Sequence, residues 1–226
     1  MRQFGIFAKY WQPGAVKTRL ATTIGDCAAS RLYRALLVCS LRRFSEVAER
    51  RVLAFTPADR RAEFQSLAGT AWRIEPQAAG DLGCRMERFF QSALDAGAER
   101  VVLIGSDSPT VPIGFVADAF ERLRRSSVVL GPSDDGGYYL IGIAGAVPPV
   151  FEGIAWSSPH VWDETVALLE QADLDFAVLS PWYDVDDSAG LERLAEELRD
   201  HGALSPPLRE LSEVVQEILP DGAKGL

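Results

Sequence analysis

The chain has 226 residues, 47% of them hydrophobic and 24% charged, with a formal net charge of −9. That length suits one large α/β domain or at most two small ones, with ample material for a core. The acidic balance argues against a general nucleic-acid binder, and no apolar stretch reaches membrane-spanning length.

The opening MRQFGIFAKYWQPG lacks the apolar region and cleavage site of a signal peptide, so a cytoplasmic protein is expected. A first strand is predicted near Gln3 to Ala8, followed by the Pro/Gly loop FAKYWQPGAVKTRL, and then a long helix from about Asp26 to Ala48 with apolar residues at helical spacing. Next come the strand RVLAFT, a helix over Ala58 to Leu67, the strand AWRIEP and a helix over Arg85 to Asp95. VVLIGSDSPTVP, residues 101–112, is a run of apolar β-formers covered on both faces, ending in Asp107 and leading to a helix over Ile113 to Arg124. SVVLGP, the loop SDDGG, the strand YYLIGI, a helix over Val161 to Gln171, the strand FAVL, YDVDD and a helix over Ala189 to Asp200 complete the alternation. A tail helix follows Pro206 and Pro207, within a C-terminal stretch of about 206–226 whose last residues, DGAKGL, are expected to fray. With no repeat and no long linker, the pattern predicts a single α/β domain, residues 1–226, with a mostly parallel central sheet flanked by helices.

Cys27, Cys39 and Cys84 show no metal-ligand spacing and read as buried free thiols, and two histidines exclude a histidine-rich metal site. Four loops each follow an apolar strand and should converge at one edge of a parallel sheet, where ligands of such folds bind. In the first, Pro13 and Gly14 allow a tight turn, while Lys9, Lys17 and Arg19 supply donors for a diphosphate or else a solvated basic surface. In the second, Asp107 either faces the site or caps the helix near Pro112. In the third, Asp134 or Asp135 could hold or deprotonate a hydroxyl beside Gly136, Gly137 and Tyr138, the alternative being a decorated hairpin turn. In the fourth, alternation puts Asp184 and Asp186 on one side, although Asp186 and Asp187 could instead cap the next helix. Trp156 and Ser157 could present a sugar or acceptor platform, or the Trp could simply pack before a helix; His160 reads as a surface residue.

Basic groups for phosphate and isolated carboxylates for a hard cation suit a nucleotide or other diphosphate. Mg²⁺ or Mn²⁺ would be held by Asp107 and Asp186 together with substrate oxygens.

Taken together, FAKYWQPGAVKTRLA, IGSDSPTVP, LGPSDDGGYYLIG, FEGIAWSSPHV and YDVDD resemble the bacterial family DUF2064, over Phe4 to about Leu194. Its members are described as glycosyltransferase A-fold proteins of the nucleotide-diphospho-sugar transferase group and named arsenosugar-biosynthesis-type glycosyltransferases. More distantly, Ser106 to Pro109 resembles the Cys-Asp-x-Pro motif of the guanylyltransferase that makes the molybdenum dinucleotide cofactor, and Asp184 to Asp187 its Asn-x-Asn-Thr motif. Lys17 to Leu20 resembles the Lys-Ser-Arg-Leu motif of phospholactate guanylyltransferase. These resemblances imply metal carboxylates at Asp107 and Asp186 and phosphate ligands at Lys17 and Arg19. The chain departs from those guanylyltransferases at Tyr10-Trp11-Gln12, where they have a Gly-rich signature, and from its own family at Asp187-Ser188-Ala189, where Thr-Pro-Glu is usual.

The leading expectation is metal-dependent glycosyl transfer from a nucleotide-sugar to a small acceptor. Nucleotidyl transfer releasing pyrophosphate is the runner-up, and a catalytically silent nucleotide-binding protein is the alternative from another class. The sequence specifies no oligomeric state.

Overall fold

In the computed structural model, which describes residues 1–200 and 204–219, the apolar runs form one sheet. The chain order is β1 (Arg2–Lys9), α1 (Thr18–Ile24), α2 (Asp26–Arg43), β2 (Arg50–Thr56), α3 (Arg61–Ala68), β3 (Arg73–Pro76), α4 (Leu82–Asp95) and β4 (Arg100–Ile104). There follow α5 (Ile113–Arg122), β5 (Val128–Pro132), β6 (Tyr138–Ala144), α6 (Val161–Gln171), β7 (Phe176–Val178), α7 (Ser188–Glu197) and α8 (Pro206–Ile218). The strands lie in the order β3-β2-β1-β4-β6-β5-β7. All pairings are parallel except those of β6, which runs antiparallel to both β4 and β5. Since β4 and β5 both oppose β6, they point the same way, and the loops after β1, β4 and β5 open at one edge.

The central strands are apolar on both faces because helices cover both. Along β4, Val102 and Ile104 join Phe4, Ile6, Leu37, Leu41, Phe64 and Phe120 on one side. Val101 and Leu103 join Phe89, Phe90 and Leu169 on the other. At roughly 1.5–3 kcal/mol per buried large apolar side chain, these two layers dominate the stability of the fold. A third cluster ties α2 to the C-terminal elements through Leu32, Leu36, Tyr183, Val185, Leu194 and Leu211.

Several expectations need correction. The first loop is interrupted by α1, a helix too short to give a clear periodic signal. The second helix stops at Arg43 rather than Ala48, because Phe44 and Ala48 turn inward to the core. The fourth starts earlier, at Leu82, behind the capping carboxylate of Asp81. Cys39 is buried, but Cys27 and Cys84 are exposed, each in the first turn of its helix on the solvent side. His201 and DGAKGL fall outside the described residues. Among the described residues no helix is long and apolar enough to cross a membrane.

Asp187 closes the last sheet-to-helix junction by accepting a hydrogen bond from the Gly190 amide at 3.0 Å. Asp187→Ala is expected to cost about 1 kcal/mol of stability, and Asp187→Asn far less, because Asn caps nearly as well. Urea titration of both variants checks this, and equal losses would show that the carboxylate acts otherwise than as a cap.

Candidate functional site

A cleft of about 560 Å³ opens at the edge where the parallel strands end. Lys9 lies at the end of β1, and Asp107 follows β4 by three residues. Asp107 does not cap the next helix: Pro112 holds the N-cap position of α5, and no side chain bonds there. Asp186 arrives from the far end of the chain. After β7 the backbone stays extended, with Trp182 N–H bonded to Pro132 O at 3.0 Å and Val185 N–H to Asp107 O at 3.0 Å. This extension buries Tyr183 and Val185 in the third cluster and turns Asp184 and Asp186 to the opposite side.

Between the two strand ends sits Lys17. Its ammonium is ion-paired to Asp107 and lies 2.6 Å from Asp186 Oδ1, and its side chain is only 3% exposed. Its backbone takes a left-handed φ of 50° at the N-cap of α1, a conformation that a non-glycine residue adopts at some cost. Arg19, largely exposed, reaches the other oxygen of Asp186 at 3.1 Å. Burial disfavours the Lys17 charge, but Asp107 and Asp186 outweigh it and hold the ammonium above its ordinary pKa. Burial likewise works against the Asp186 charge, yet Lys17 and Arg19 keep that carboxyl below its usual range. Among the described residues Asp184 has no such cationic partner. Burial pushes it up to about 7, against the hydrogen bond from Ser108, and the charges of Asp107, Asp186 and Asp135 add to the rise.

The hydroxyl of Tyr33, on α2, braces the cleft. It accepts from Lys9 N–H at 2.8 Å and lies 2.8 Å from Ser106 Oγ, linking the ends of β1 and β4. Burial, with the charge of Asp107, raises it to about 12, so it remains a phenol at any physiological pH.

The structure therefore brings together Lys17, Arg19, Asp107 and Asp186, with Lys9 and Ser157 also lining the cleft. Gly14 is exposed in the first loop with a positive φ of 77° and does not line it. Other expected residues make contacts within the chain. Asp134 is paired with Arg193 at 2.8 Å. Asp135 folds back on its own turn, accepting from Ser133 Oγ and from Gly137 N–H. The hairpin reading of SDDGG thus holds, since β5 and β6 pair directly across it. At Gly136 the chain's own Pro159 stands close on the side where a Cβ would be: an added Cβ would fall 2.2 Å from Pro159 O, and φ is 87°. Tyr138 and Trp156 pack against the second core cluster, and Trp156 meets Gly83 of α4. Trp156 is thus partly buried between α4 and the core, with part of its side chain still exposed. His160 is exposed.

The other side of the cleft, across β1, is built by Gln77, Asp81, Leu82 and Arg85, none of them anticipated. The signal was present: QAAGD follows the strand AWRIEP just as the other loops follow theirs, and β3 is parallel to β2.

Two carboxylates around one cation match the usual protein contribution to a Mg²⁺ or Mn²⁺ site, which substrate phosphates complete. In this structure Lys17 supplies that cation. Among the described residues no group of three or more His, Cys, Asp or Glu is placed to hold a metal ion.

Comparison with known proteins adds the following. The family described as "Uncharacterized protein conserved in bacteria (DUF2064)" matches residues 41–158. A "putative nucleotide-diphospho-sugar transferase" from Desulfovibrio desulfuricans G20 is 33% identical with a TM-score of 0.86, covering 97% of this chain and 99% of that one. A cytidylyltransferase from Leptospira borgpetersenii serovar Hardjo-bovis (strain JB197) shares the fold at 14% identity and a TM-score of 0.56, over 96% of this chain and 94% of that one. The Rv0371c protein of Mycobacterium tuberculosis H37Rv, in complex with manganese, does so at 15% identity and a TM-score of 0.50, over 87% of this chain and 99% of that one. No curated protein matches.

Proposed function

The chain belongs to the DUF2064 family and has the nucleotide-diphospho-sugar transferase fold, and from that premise we propose that it is a single-domain, divalent-metal-dependent glycosyltransferase. In this reading it moves a sugar from a nucleotide-sugar to a small acceptor. The observation that carries the reading is the convergence of Asp107 and Asp186, from two strand ends, in the cleft, where both meet the Lys17 ammonium. Those two residues would hold Mg²⁺ or Mn²⁺, which supplies Lewis-acid stabilisation of the leaving nucleoside diphosphate. The manganese complex of the mycobacterial protein with the same fold agrees with this assignment.

Lys17 and Arg19 surround the same carboxylates with fixed positive charge. With them, developing negative charge on the leaving group meets preorganised cations rather than water. Lys9, exposed at the end of β1, adds a third cation within the cleft. Asp134 and Asp135 belong to the scaffold in this reading, committed to Arg193 and to the hairpin turn.

The cytidylyltransferase likeness makes nucleotidyl transfer the reading to beat. Incubating the protein with Mn²⁺ and a panel of nucleotide-sugars and nucleoside triphosphates, then resolving products by ion exchange, separates the two. The expected result is slow release of nucleoside diphosphate from one nucleotide-sugar without acceptor, since water can enter the acceptor position. Release of pyrophosphate from a triphosphate, with every nucleotide-sugar intact, would reverse the assignment.

A further inference from the structure

The cations of the cleft are in two electrostatic conditions. Lys17 and Arg19 are already engaged by carboxylates. Lys9 and Arg85 also line the cleft, yet among the described residues neither makes an ion pair with a carboxylate.

Arg85 is held rigidly. Its Nε donates to Gly80 O at 2.9 Å and its Nη1 to Gln77 Oε1 at 3.3 Å. Gln77 is pinned in turn: its side-chain amide donates to Ala54 O at 2.9 Å and Ala8 O at 3.3 Å, and its own N–H to Phe55 O at 2.8 Å. The amide nitrogen of Gln77 is thereby spent on Ala8 and Ala54, in β1 and β2, and its oxygen orients the guanidinium. A guanidinium has five N–H donors, and two of these are used by the protein. The remaining three belong to a half-buried cation at the rim of a 560 Å³ cleft.

We propose that Arg85 is an oxyanion-binding residue of this cleft, gripping a phosphate or carboxylate group of the substrate from the side opposite Asp107 and Asp186. The proposal rests on the reading of the cleft as the substrate site. A planar fork with unspent donors matches two oxygens of one anionic group, which a lysine at the same place would meet as a point charge only.

Calorimetric titration of the intact protein with pyrophosphate and with inorganic phosphate tests this. Arg85→Gln should weaken pyrophosphate binding roughly ten- to hundredfold. Arg85→Lys should recover part of that loss, and Arg88→Gln, outside the cleft, should change nothing. Equal pyrophosphate affinity in the parent and Arg85→Gln, or no binding of either anion by the parent at millimolar concentration, would overturn the proposal. Competition identifies the source of the anion. If nucleoside diphosphate displaces phosphate, Arg85 serves the donor; if both bind together and phosphate still depends on Arg85, it serves an anionic acceptor. The proposed function fails separately. Arg85-dependent anion binding with no nucleotide-sugar turned over leaves the inference standing alone, whereas nucleoside diphosphate release with Arg85-independent binding leaves only the function.

Discussion

Lys17→Met should lower the stability of the protein by about 3 kcal/mol, roughly 6–12 °C in melting temperature for a chain of this size. Removing one member of a buried charge cluster strands the others, and here it strands two carboxylates that share a single ammonium. The low end of the usual 3–5 kcal/mol range applies because Asp107 and Asp186 are each 36% exposed and water screens them in part. The pH dependence follows in sign. Lys17 is raised, so its contribution is complete below the ordinary lysine pKa and is lost only as pH rises through the higher folded value. Asp186 is depressed, so its contribution is complete above the ordinary Asp pKa and is lost as pH falls through the lower folded value. The difference between parent and variant should therefore stay level from about pH 5 to 9 and shrink below about pH 4. Thermal melts across that range provide the check. A variant as stable as the parent at pH 7 would show that the cluster contributes nothing to the fold.

Asp107→Asn is expected to abolish Mn²⁺-dependent nucleotide binding, a loss of at least about a hundredfold or roughly 2.7 kcal/mol. An amide keeps the shape of the side chain but removes the charge on which a hard cation depends. The backbone bond from Val185 N–H to Asp107 O does not involve the side chain, so the junction of the two strand ends should survive. Circular dichroism should match the parent, separating loss of binding from loss of structure. Asp187→Asn, at the residue immediately after the site's other acid, keeps its cap and should bind metal and nucleotide normally. Unchanged Mn²⁺-dependent affinity in Asp107→Asn would remove this residue from the metal assignment.

The core strands were legible because burial on both faces leaves a direct trace: VVLI has no polar residue to face water, and both faces are indeed covered. Asp184 and Asp186 were legible for a related reason, since Tyr183 and Val185 between them fix which side is core. Asp107 could be placed at a strand end but not freed of the cap alternative, because the identity of the N-cap depends on where α5 begins. Lys17 was read as a phosphate ligand from its loop, while its two acid partners lie at distant positions that no local pattern connects to it. The surroundings of SDDGG were hidden for the same reason, as only the folded chain brings Pro159 against Gly136. The Arg85 side of the cleft was missed although its strand had been identified. Its apolar run is short, and RIEP alternates toward solvent on an edge of the sheet.

The contact between Lys17 and Asp186 also has a meaning in time. The two residues are 169 positions apart. At about 5–20 residues per second, roughly 8–34 seconds of synthesis separate the emergence of the lysine from that of its second acid. Once Asp107 has followed β4, a nascent chain has the whole β1–β4 half and two members of the Lys17–Asp107–Asp186 cluster, but not the third. A ribosome that stalls between SDSP and YDVDD leaves a chain with the cation in place and one carboxylate missing. Such a fragment can carry most of the sheet and still lack the second acid of the cluster.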